Sequence, residues 1–205
     1  FRNKGIGMNG FNSLKGSILS RQSIKKYSKK FYKMLNNIRK ANGPVFVYSN
    51  FKDFGGLRSL VKFLEYNGYK NYKTDGEGNN RFALWTGDEK STIREEIKSI
   101  FNKVDNSDGS KIKIILGSPS IKEGVSLLRV DQVHIMEPYW HNVRTRQAIG
   151  RAVRLCSHVD LPVNERNVTV YIYIATTPEK KITKIKYKEK ETTDEFLYKR
   201  SIKKE

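Results

Sequence analysis

Two arginines in the carboxy-terminal half of the chain have a spacing that indicates chemistry. They lie in the stretch Gln147-Ala148-Ile149-Gly150-Arg151-Ala152-Val153-Arg154. On a helix, residues three and four positions apart return to the same side, so Gln147, Gly150, Arg151 and Arg154 are predicted to share one face. A guanidinium stays charged and pairs with phosphate oxygens through two parallel hydrogen bonds. The spacing therefore predicts a phosphate-binding face, and an ordinary exposed basic face is the alternative.

The elements that position this stretch alternate along the chain. Short β-branched and aromatic runs predict strands, at Val45–Tyr48, Phe82–Trp85, Ile112–Leu116, Val130–Met136 and Val168–Ile174. Apolar residues at three- and four-residue steps predict helices, from Ser23 to near Asn42, from Leu57 to Asn67, from Ser91 to Phe101 and from Arg144 to Leu155. Strands that alternate with helices predict an α/β domain, a parallel sheet covered by helices on both faces.

The loops that follow the predicted strands are candidate binding positions. In open parallel sheets ligands bind outside the carboxyl ends of the strands. The loops after Tyr48, Trp85, Leu116 and Met136 are therefore where a ligand is expected. The first three of these loops begin with or contain hydroxyl, amide and glycine residues, which are Ser49, Asn50, Thr86, Gly87 and Ser118.

The chain is strongly basic, and the excess charge is unevenly distributed. Its 205 residues include 40 Lys and Arg against 21 Asp and Glu, which gives a net charge of +19. Residues 1–42 carry +11, residues 43–177 carry +4 and residues 178–205 carry +4, so three regions are predicted: a basic amino-terminal segment with an entry helix, the α/β domain, and a basic connector with a closing helix. An excess of this size indicates a polyanionic partner, most commonly nucleic acid, with a solvated lysine surface as the alternative.

The composition also excludes several classes of protein. No stretch approaches the roughly 20 consecutive apolar residues of a membrane span, so no membrane partner is expected. Cys156 is the only cysteine, which excludes an internal disulfide and favours a reducing, intracellular compartment. It is expected to be a small buried residue, and its spacing from the histidines matches no zinc-ligand pattern, so no metal site is predicted. The first residues lack a signal peptide, and we expect a piece of a longer polypeptide.

The arginine stretch and the segment before it together resemble a known family. Leu116-Gly117-Ser118 follows a predicted strand, and Gly124 and Gln147 come later at the spacing found in the second RecA-like domain of superfamily 2 helicases and translocases. Three further segments are similar to the Snf2-type branch of that family: Val45–Phe51, Trp85–Asp88 with Arg94 and Ile100–Asn102, and Thr193–Arg200. The arrangement Glu137-Pro138-Tyr139-Trp140 before Gln147 resembles the ATPases of large cytoplasmic DNA viruses, which include poxvirus nucleoside triphosphate phosphohydrolase I and the early transcription factor ATPase subunit.

The resemblance implies a site shared between two domains. It implies that ATP and Mg²⁺ bind at the interface with an amino-terminal RecA-like domain, which would hold most of the magnesium ligands. In that arrangement Arg151 and Arg154 reach the γ-phosphate as arginine fingers and Gln147 helps to position it. Residues Gly124, Ser126 and Gly150 would line the nucleotide. The resemblance also implies that Ser49, Asn50, Thr86, Gly87 and Ser118 contact the phosphate backbone of nucleic acid without reading its bases.

The resemblance is incomplete, so more than one function stays open. The Snf2-type pattern has a second glycine and an asparagine where this chain has Lys122 and Ser126, and no G-x-x-x-x-G-K-[ST] phosphate loop occurs in the sequence. The leading hypothesis is the carboxy-terminal half of a DNA helicase or translocase in viral transcription, located in the host cytoplasm or the virion, with a viral RNA polymerase or transcription factor subunits as partners. The alternatives are a non-catalytic nucleic-acid-binding module and an RNA helicase. Trp140 is expected either to pack the loop between the strand and the arginine helix or to stack on a base or on adenine.

Overall fold

A computed structural model of the chain describes residues 16–53, 55–121, 125–176 and 191–203. Within these residues the structure contains one sheet, and its six strands are parallel. The strands are β1 (Val45–Tyr48), β2 (Lys70–Asn71), β3 (Arg81–Trp85), β4 (Ile114–Gly117), β5 (Gln132–Ile135) and β6 (Thr169–Ile172). Their order across the sheet is β2-β3-β4-β1-β5-β6. The predicted parallel sheet is therefore confirmed, and its five predicted strands are all present.

The helices lie between and beside these strands. They are α1 (Arg21–Tyr27), α2 (Lys29–Ile38), α3 (Leu57–Tyr66), α4 (Tyr72–Asp75), α5 (Ser91–Phe101), α6 (Asn142–Ile149) and α7 (Thr193–Ile202). Short 3₁₀ turns occur at Gly16–Leu19, Val104–Asn106 and Val163–Glu165. None of the helices within the described residues has the length and apolar character that a membrane span requires.

Two hydrophobic layers cover the two faces of the sheet. Val45 and Val47 of β1 point into a layer that contains the apolar faces of α2 and α3. Phe46 and Tyr48 of the same strand point into the opposite layer, which contains α5 and Ala148 of α6. Because successive side chains of a strand alternate between faces, this division shows that helices cover both sides of the sheet, as predicted.

A buried polar network joins α2 to the last two strands. The Asn37 amide donates to the Tyr173 hydroxyl at 3.2 Å, and that hydroxyl lies 2.8 Å from Nδ1 of His134. The other ring nitrogen of His134 lies 3.0 Å from the side-chain oxygen of Gln132. Burial lowers the pKa of His134 to about 3, so the ring is neutral and its two nitrogens are both hydrogen-bonded.

The structure differs from the sequence prediction at the amino-terminal helix. The predicted single helix from Ser23 is two helices, α1 and α2, which are separated by Ser28 in an extended conformation. The Ser28 hydroxyl accepts a hydrogen bond from the backbone N–H of Phe31 at 3.2 Å and so caps α2. The short elements β2 and α4 were not predicted, because two and four largely polar residues carry no apolar period.

Several predictions concern residues that the structure describes only in part. Residues 1–15 of the basic amino-terminal segment and residues 177–190 of the predicted connector lie outside the described residues, as does Gly124. The boundaries at 42/43 and 177/178 stay predictions. Cys156 is exposed, so its predicted burial was wrong. Its backbone has a φ of +63°, which places it in a turn rather than in the core.

Candidate functional site

The loops that were predicted to carry the site meet at the carboxyl edge of the sheet. In the register of the central strands, Tyr48 lies opposite Gly117 on one side and Ile135 on the other. Backbone hydrogen bonds extend this register past the strand ends, from Ser49 N to Gly117 O at 3.1 Å and from Ser118 N to Trp85 O at 3.2 Å. The first residues of the loops after β1, β3 and β4 are therefore neighbours.

The arginine stretch does not continue as a helix. Helix α6 ends at Ile149, where Gly150 caps it and donates its N–H to Arg146 O at 2.8 Å. Beyond this point the carbonyl of Arg151 accepts a hydrogen bond from the N–H of Leu127 at 2.8 Å. The prediction of a helix to Leu155, with Gln147, Gly150, Arg151 and Arg154 on one helical face, was therefore wrong beyond Gly150. Hydrogen bonds of turns continue to Val153, whose N–H donates to Ile149 O at 2.9 Å, and Leu127 takes the Arg151 carbonyl that a longer helix would use.

The two arginines of the stretch have different surroundings. Arg154 is exposed and its guanidinium donates to the Ser126 hydroxyl at 2.5 Å. Arg151 is half-buried and lines a cleft of about 170 Å³, together with Arg144 and Gln147 of α6. One sequence motif thus supplies two cations at two neighbouring positions.

The cleft has aromatic and aliphatic walls opposite the arginines. Its remaining lining consists of Phe46, Tyr48, Pro119, Ile121 and Ala148. Gly117 makes the close packing of these walls possible, since a Cβ at this position would lie 2.4 Å from the Ile121 side chain and 2.7 Å from the Phe46 ring. A larger residue than glycine would therefore push these side chains toward the cleft.

Arg144 is a member of the cleft that the sequence analysis did not single out. It lies in the first turn of α6 and is exposed, and its guanidinium carbon is 4.5 Å from the centre of the Tyr139 ring. A contact of this kind orients the guanidinium over the ring face. Its spacing of three residues before Gln147 and seven before Arg151 is the helical period that could have identified it.

The segment that carries Ser126 is held by Asn102. The Asn102 side chain donates to Ser126 O at 2.9 Å and accepts from Leu128 N at 2.8 Å, so one amide binds both sides of Leu127. Asn102 directly follows α5, whose buried face packs in the core. Because α5 is anchored in this way, Ser126 has a defined position from which to hold Arg154.

A second set of contacts fixes the chain beyond Arg154. The Ser157 hydroxyl lies 2.8 Å from Arg154 O, and His158 lies 2.9 Å from Val130 O through its Nε2. Arg129 is 3% exposed and pairs with Asp160 and with the carbonyl of Asn102. The segments 126–130 and 151–160 are therefore bound to one another on both sides of the arginine pair.

A buried carboxylate organises the loop after β1. Glu137 accepts hydrogen bonds from the Ser49 hydroxyl at 3.0 Å and from the backbone N–H of Asn50 at 2.5 Å. Glu137 is 8% exposed, and this burial raises its pKa to about 7, although the hydrogen bonds from Asn50 and Ser49 act in the opposite direction. The Ser49 hydroxyl also contacts Phe51 O at 2.9 Å, so its partners lie within the protein.

The other predicted nucleic-acid contacts differ in exposure. Thr86 is buried, whereas Gly87 beside it is exposed. The Ser118 hydroxyl is buried and lies 2.8 Å from the Ser120 hydroxyl. Asn50 is half-buried and accepts a hydrogen bond from the Tyr48 hydroxyl at 3.2 Å. The structure brings these residues to one edge of the sheet, and their role in binding stays a prediction.

Trp140 packs against the last helix. Its ring meets the ring of Phe196 in α7 edge to face, with centroids 6.3 Å apart. Helix α7 is also joined to α2 through an ion pair of 3.1 Å between Lys30 and Asp194. Trp140 is still 46% exposed. The contact with Phe196 supports the packing alternative for this residue.

Metal-ligating side chains do not cluster in the described ranges. Among residues 16–53, 55–121, 125–176 and 191–203, no group of three or more His, Cys, Asp or Glu side chains is arranged to hold a metal ion. The charged side chains that line the cleft itself are Arg144 and Arg151. The lining of the cleft therefore has the chemistry of an anion site.

The fold and this motif define a carboxy-terminal domain of the helicase type, and a family comparison agrees. The chain belongs to the family "Helicase conserved C-terminal domain", whose model matches residues 27–156, more than half of the chain. The match includes the strands β1 to β5, the cleft and both arginines of the motif.

Relatives of the chain are viral proteins. It is 51% identical over 183 residues to the putative ATP-dependent RNA helicase R563 of Acanthamoeba polyphaga mimivirus, which covers 89% of this chain and 32% of the relative. It is 33% identical over 214 residues to a termination factor NPH-I homolog of African swine fever virus, covering 86% of the chain and 30% of the relative. An early transcription factor large subunit homolog of the same virus is 30% identical over 176 residues, covering 75% of this chain and 16% of the relative.

The chain spans about a third or less of the length of these relatives. A solved structure of the C-terminal part of the Fun30 ATPase domain aligns with 70% of this chain and 40% of that one, at 17% identity and a TM-score of 0.49. The family assignment rests on the sequence matches, and it confirms the predicted resemblance to helicase-like ATPases of large DNA viruses.

Proposed function

We propose that this chain is the carboxy-terminal half of a nucleic-acid-dependent ATPase that drives movement along DNA in viral transcription. In this proposal ATP binds at an interface with an amino-terminal RecA-like domain, and this chain supplies Arg151 and Arg154. The observation that carries the proposal is the cleft beside the loop after β4, where ligands of such sheets bind; Arg151 and Gln147 line it, and the Ser126 hydroxyl holds Arg154. The names of the viral relatives agree with an ATP-dependent activity and with transcription.

The two arginines would stabilise charge on the transferred phosphoryl group. Negative charge on the γ-phosphate oxygens is stabilised by cations that are already in position, and an arginine finger contributes a factor of about 10³ to 10⁵ to the rate. Ser126 would present Arg154, since its hydroxyl holds that guanidinium. Gln147 would help to position the phosphate beside Arg151, with Ser126, Gly150 and Gly124 along the nucleotide. Magnesium, which offsets phosphate charge when bound, would be held chiefly by the amino-terminal domain.

Nucleic acid would run along the neighbouring strand-end loops. The loops that contain Ser49, Asn50, Thr86, Gly87 and Ser118 would face the phosphates, with the exposed Gly87 the most accessible and with Ser49 and Asn50 shaping their loop through Glu137. The high net charge of +19 supports a polyanionic partner. Subunits of a viral RNA polymerase or transcription factor would be the protein partners, in the host cytoplasm or the virion.

An RNA helicase is the second candidate. The relative with 51% identity, and another with 40% identity over 137 residues, are both named putative ATP-dependent RNA helicases. Contacts to the phosphate backbone alone do not distinguish DNA from RNA, because both carry the same phosphodiester groups. The choice is made by comparing double-stranded DNA, single-stranded DNA and RNA as activators of hydrolysis.

The deciding experiment is ATP hydrolysis by this chain joined to its amino-terminal RecA-like domain. We expect Arg154→Ala to lower the nucleic-acid-stimulated kcat by about 10³. Arg39→Ala is the matched control, because Arg39 is exposed and directly follows α2, which covers the face of the sheet opposite to that of α6. Its kcat should stay within about twofold of the parent protein.

Two results would contradict the proposal. If Arg154→Ala retains kcat within a few-fold of the parent, Arg154 is not an arginine finger. If the folded parent protein binds nucleic acid but hydrolyses no ATP with any of the three activators, the chain is a binding module on the same fold. Circular dichroism of each variant separates loss of activity from loss of folding.

A further inference from the structure

We propose that Arg144, which lies outside the arginine motif of the family, joins Arg151 in binding one phosphate group in the cleft of α6. The ligand class is a phosphate ester or anhydride, supplied either by a nucleotide or by a nucleic-acid backbone. The inference rests on the proposed function, because it adds a second cationic contact beside one of the proposed arginine fingers.

The first argument is the uncompensated charge of the cleft. Arg144 and Arg151 both line it, and in the described parts of the chain neither forms an ion pair with a carboxylate. Other surface cations of the same domain do have such partners, for example Arg58 with Asp53 at 2.9 Å. Two guanidiniums that share one concave surface repel each other unless an anion lies between them.

The second argument is the position of Arg144 in its helix. The first turn of α6 contains no acidic residue, and His141 at its start makes no side-chain capping hydrogen bond. A cation in a first turn opposes the helix dipole and lowers helix stability. Arg144 therefore does not stabilise α6, and an anion beside it would offset that cost.

The third argument is the size and lining of the cleft. Its volume of about 170 Å³ holds a phosphate group, which needs a few times the roughly 30 Å³ of a water molecule. It is smaller than the roughly 300 to 1,000 Å³ of sites that enclose an entire drug-sized ligand. The cleft is therefore suited to one phosphate of a larger ligand whose remainder lies outside it.

The fourth argument is the fixed direction of the Arg144 side chain. The Tyr139 ring lies under its guanidinium at 4.5 Å, and Tyr48 of the cleft lies close enough for Arg144 to lower its pKa against the effect of burial. A guanidinium held on a ring has already lost part of its conformational freedom, so less is lost when it binds a ligand.

The test measures binding by the 205-residue chain, without hydrolysis. Isothermal titration calorimetry would use two probes, tripolyphosphate and a single-stranded oligothymidylate of about ten nucleotides. We expect Arg144→Gln to weaken the binding of at least one probe by about tenfold, which is the low end of the effect of losing a hydrogen bond to a charged group. Arg144→Lys keeps the charge and loses the contact through two parallel hydrogen bonds. Its affinity for the probe should lie between those of Arg144→Gln and the parent.

Arg146→Gln is the matched control, because Arg146 is an exposed arginine of the same helix that does not line the cleft. If Arg144→Gln loses affinity for tripolyphosphate alone, the phosphate comes from a nucleotide. If it loses affinity for the oligonucleotide alone, the phosphate comes from a nucleic-acid backbone. If Arg144→Gln binds both probes as the parent does, or if Arg146→Gln weakens them equally, the proposal is wrong.

This experiment is independent of the ATPase test. If the two-domain protein hydrolyses no ATP, the proposed function is contradicted. If Arg144→Gln nevertheless weakens the binding of a probe, the phosphate site in the cleft is supported. Equal helicity and equal midpoints of thermal unfolding in the variants would show that folding is unchanged. If Arg144→Gln does not fold, the comparison of Arg144→Lys with the parent decides in its place.

Discussion

Two polar clusters of the domain are built in opposite ways. The carboxylate cluster consists of Glu137, Ser49 and Asn50, and its charge is buried and surrounded by hydrogen-bond donors. The arginine cluster consists of Arg144, Gln147, Arg151 and Arg154, and its side chains are exposed or half-buried. The carboxylate cluster uses its hydrogen bonds within the protein.

This difference separates a positioning role from a binding role. A buried polar group whose partners are all internal fixes the conformation of the chain around it. A guanidinium whose partner among the described residues is a hydroxyl or an aromatic ring, as for Arg154 and Arg144, keeps its charge for an anion. We therefore expect changes in the carboxylate cluster to act on stability and changes in the arginine cluster to act on binding and rate.

The largest expected effect on stability is the pH dependence that Glu137 causes. Its pKa is about 7 in the folded chain and near 4.5 when unfolded, so between these pH values the folded state binds more protons. The stability that Glu137 contributes is then fully present below pH 4.5 and is lost as the pH rises to 7, by about 3 kcal/mol. Urea unfolding of the parent and of Glu137→Gln from pH 4 to 8 measures it.

The comparison with Glu137→Gln isolates this carboxyl group from His134. The pKa of His134 is lowered, so its contribution has the opposite sign and is lost as the pH falls from 6.5 toward 3. Both proteins contain His134, so its contribution cancels when their free energies of unfolding are subtracted. If the difference in free energy of unfolding between the parent and Glu137→Gln stays constant from pH 4.5 to 7, Glu137 is not buried.

A smaller effect is expected when the carboxyl group is removed. Glu137→Ala leaves the N–H of Asn50 without its acceptor and the hydroxyl of Ser49 with Phe51 O alone, which should cost about 2 kcal/mol. The measurement is urea unfolding at pH 5, where the folded parent is mainly protonated and no buried charge is removed. Glu95→Ala is the control, because Glu95 is exposed and pairs only with Lys98 at the surface; it should change stability by less than about 0.5 kcal/mol.

The stability and the phosphate binding of Glu137→Ala together test whether the two clusters act independently. If Glu137→Ala has normal stability, the carboxylate cluster does not fix the loop after β1. If it is destabilised and the remaining folded protein still binds tripolyphosphate as the parent does, the two clusters act independently, as their separate hydrogen-bond partners imply.

The smallest expected effect is that of Ser126 on Arg154. Ser126→Ala removes the hydroxyl that holds the guanidinium but leaves the charge, so we expect a several-fold fall in kcat of the two-domain protein with little change in stability. Ser126→Thr keeps a hydroxyl at this position and should restore most of the rate. A fall as large as that of Arg154→Ala, or no recovery with threonine, would refute a positioning role for Ser126.

Much of the fold could be predicted because it depends on local patterns. Runs such as Val45–Tyr48 and Ile114–Gly117 are short, apolar and rich in β-branched or aromatic residues, so they read as buried strands without knowledge of their neighbours. Helices between such strands require parallel connections, which gives the sheet its class. The elements that were missed, β2 and α4, are too short and polar to carry a period.

The candidate site was predictable in its residue types but less so in its geometry. The spacing of Gln147, Gly150, Arg151 and Arg154 identified the motif, yet a helical period was extended past the true end of α6. Arg144 carried the same period and was passed over because it stands outside the motif. Glu137 was read only as part of a family pattern, since its hydrogen-bond partners Ser49 and Asn50 lie 88 and 87 residues away in sequence.

The amino-acid sequence alone determined the order and class of the elements, the basic character of the chain and the identity of the arginine motif, because these depend on residue type and short spacing. Only the tertiary structure decided where the two arginines lie. The hydrogen bond from Leu127 to the carbonyl of Arg151 joins residues 24 positions apart, and no local pattern encodes it. Beyond the end of α6, Arg151 lines the cleft and Arg154 contacts Ser126, and neither position follows from the helical period.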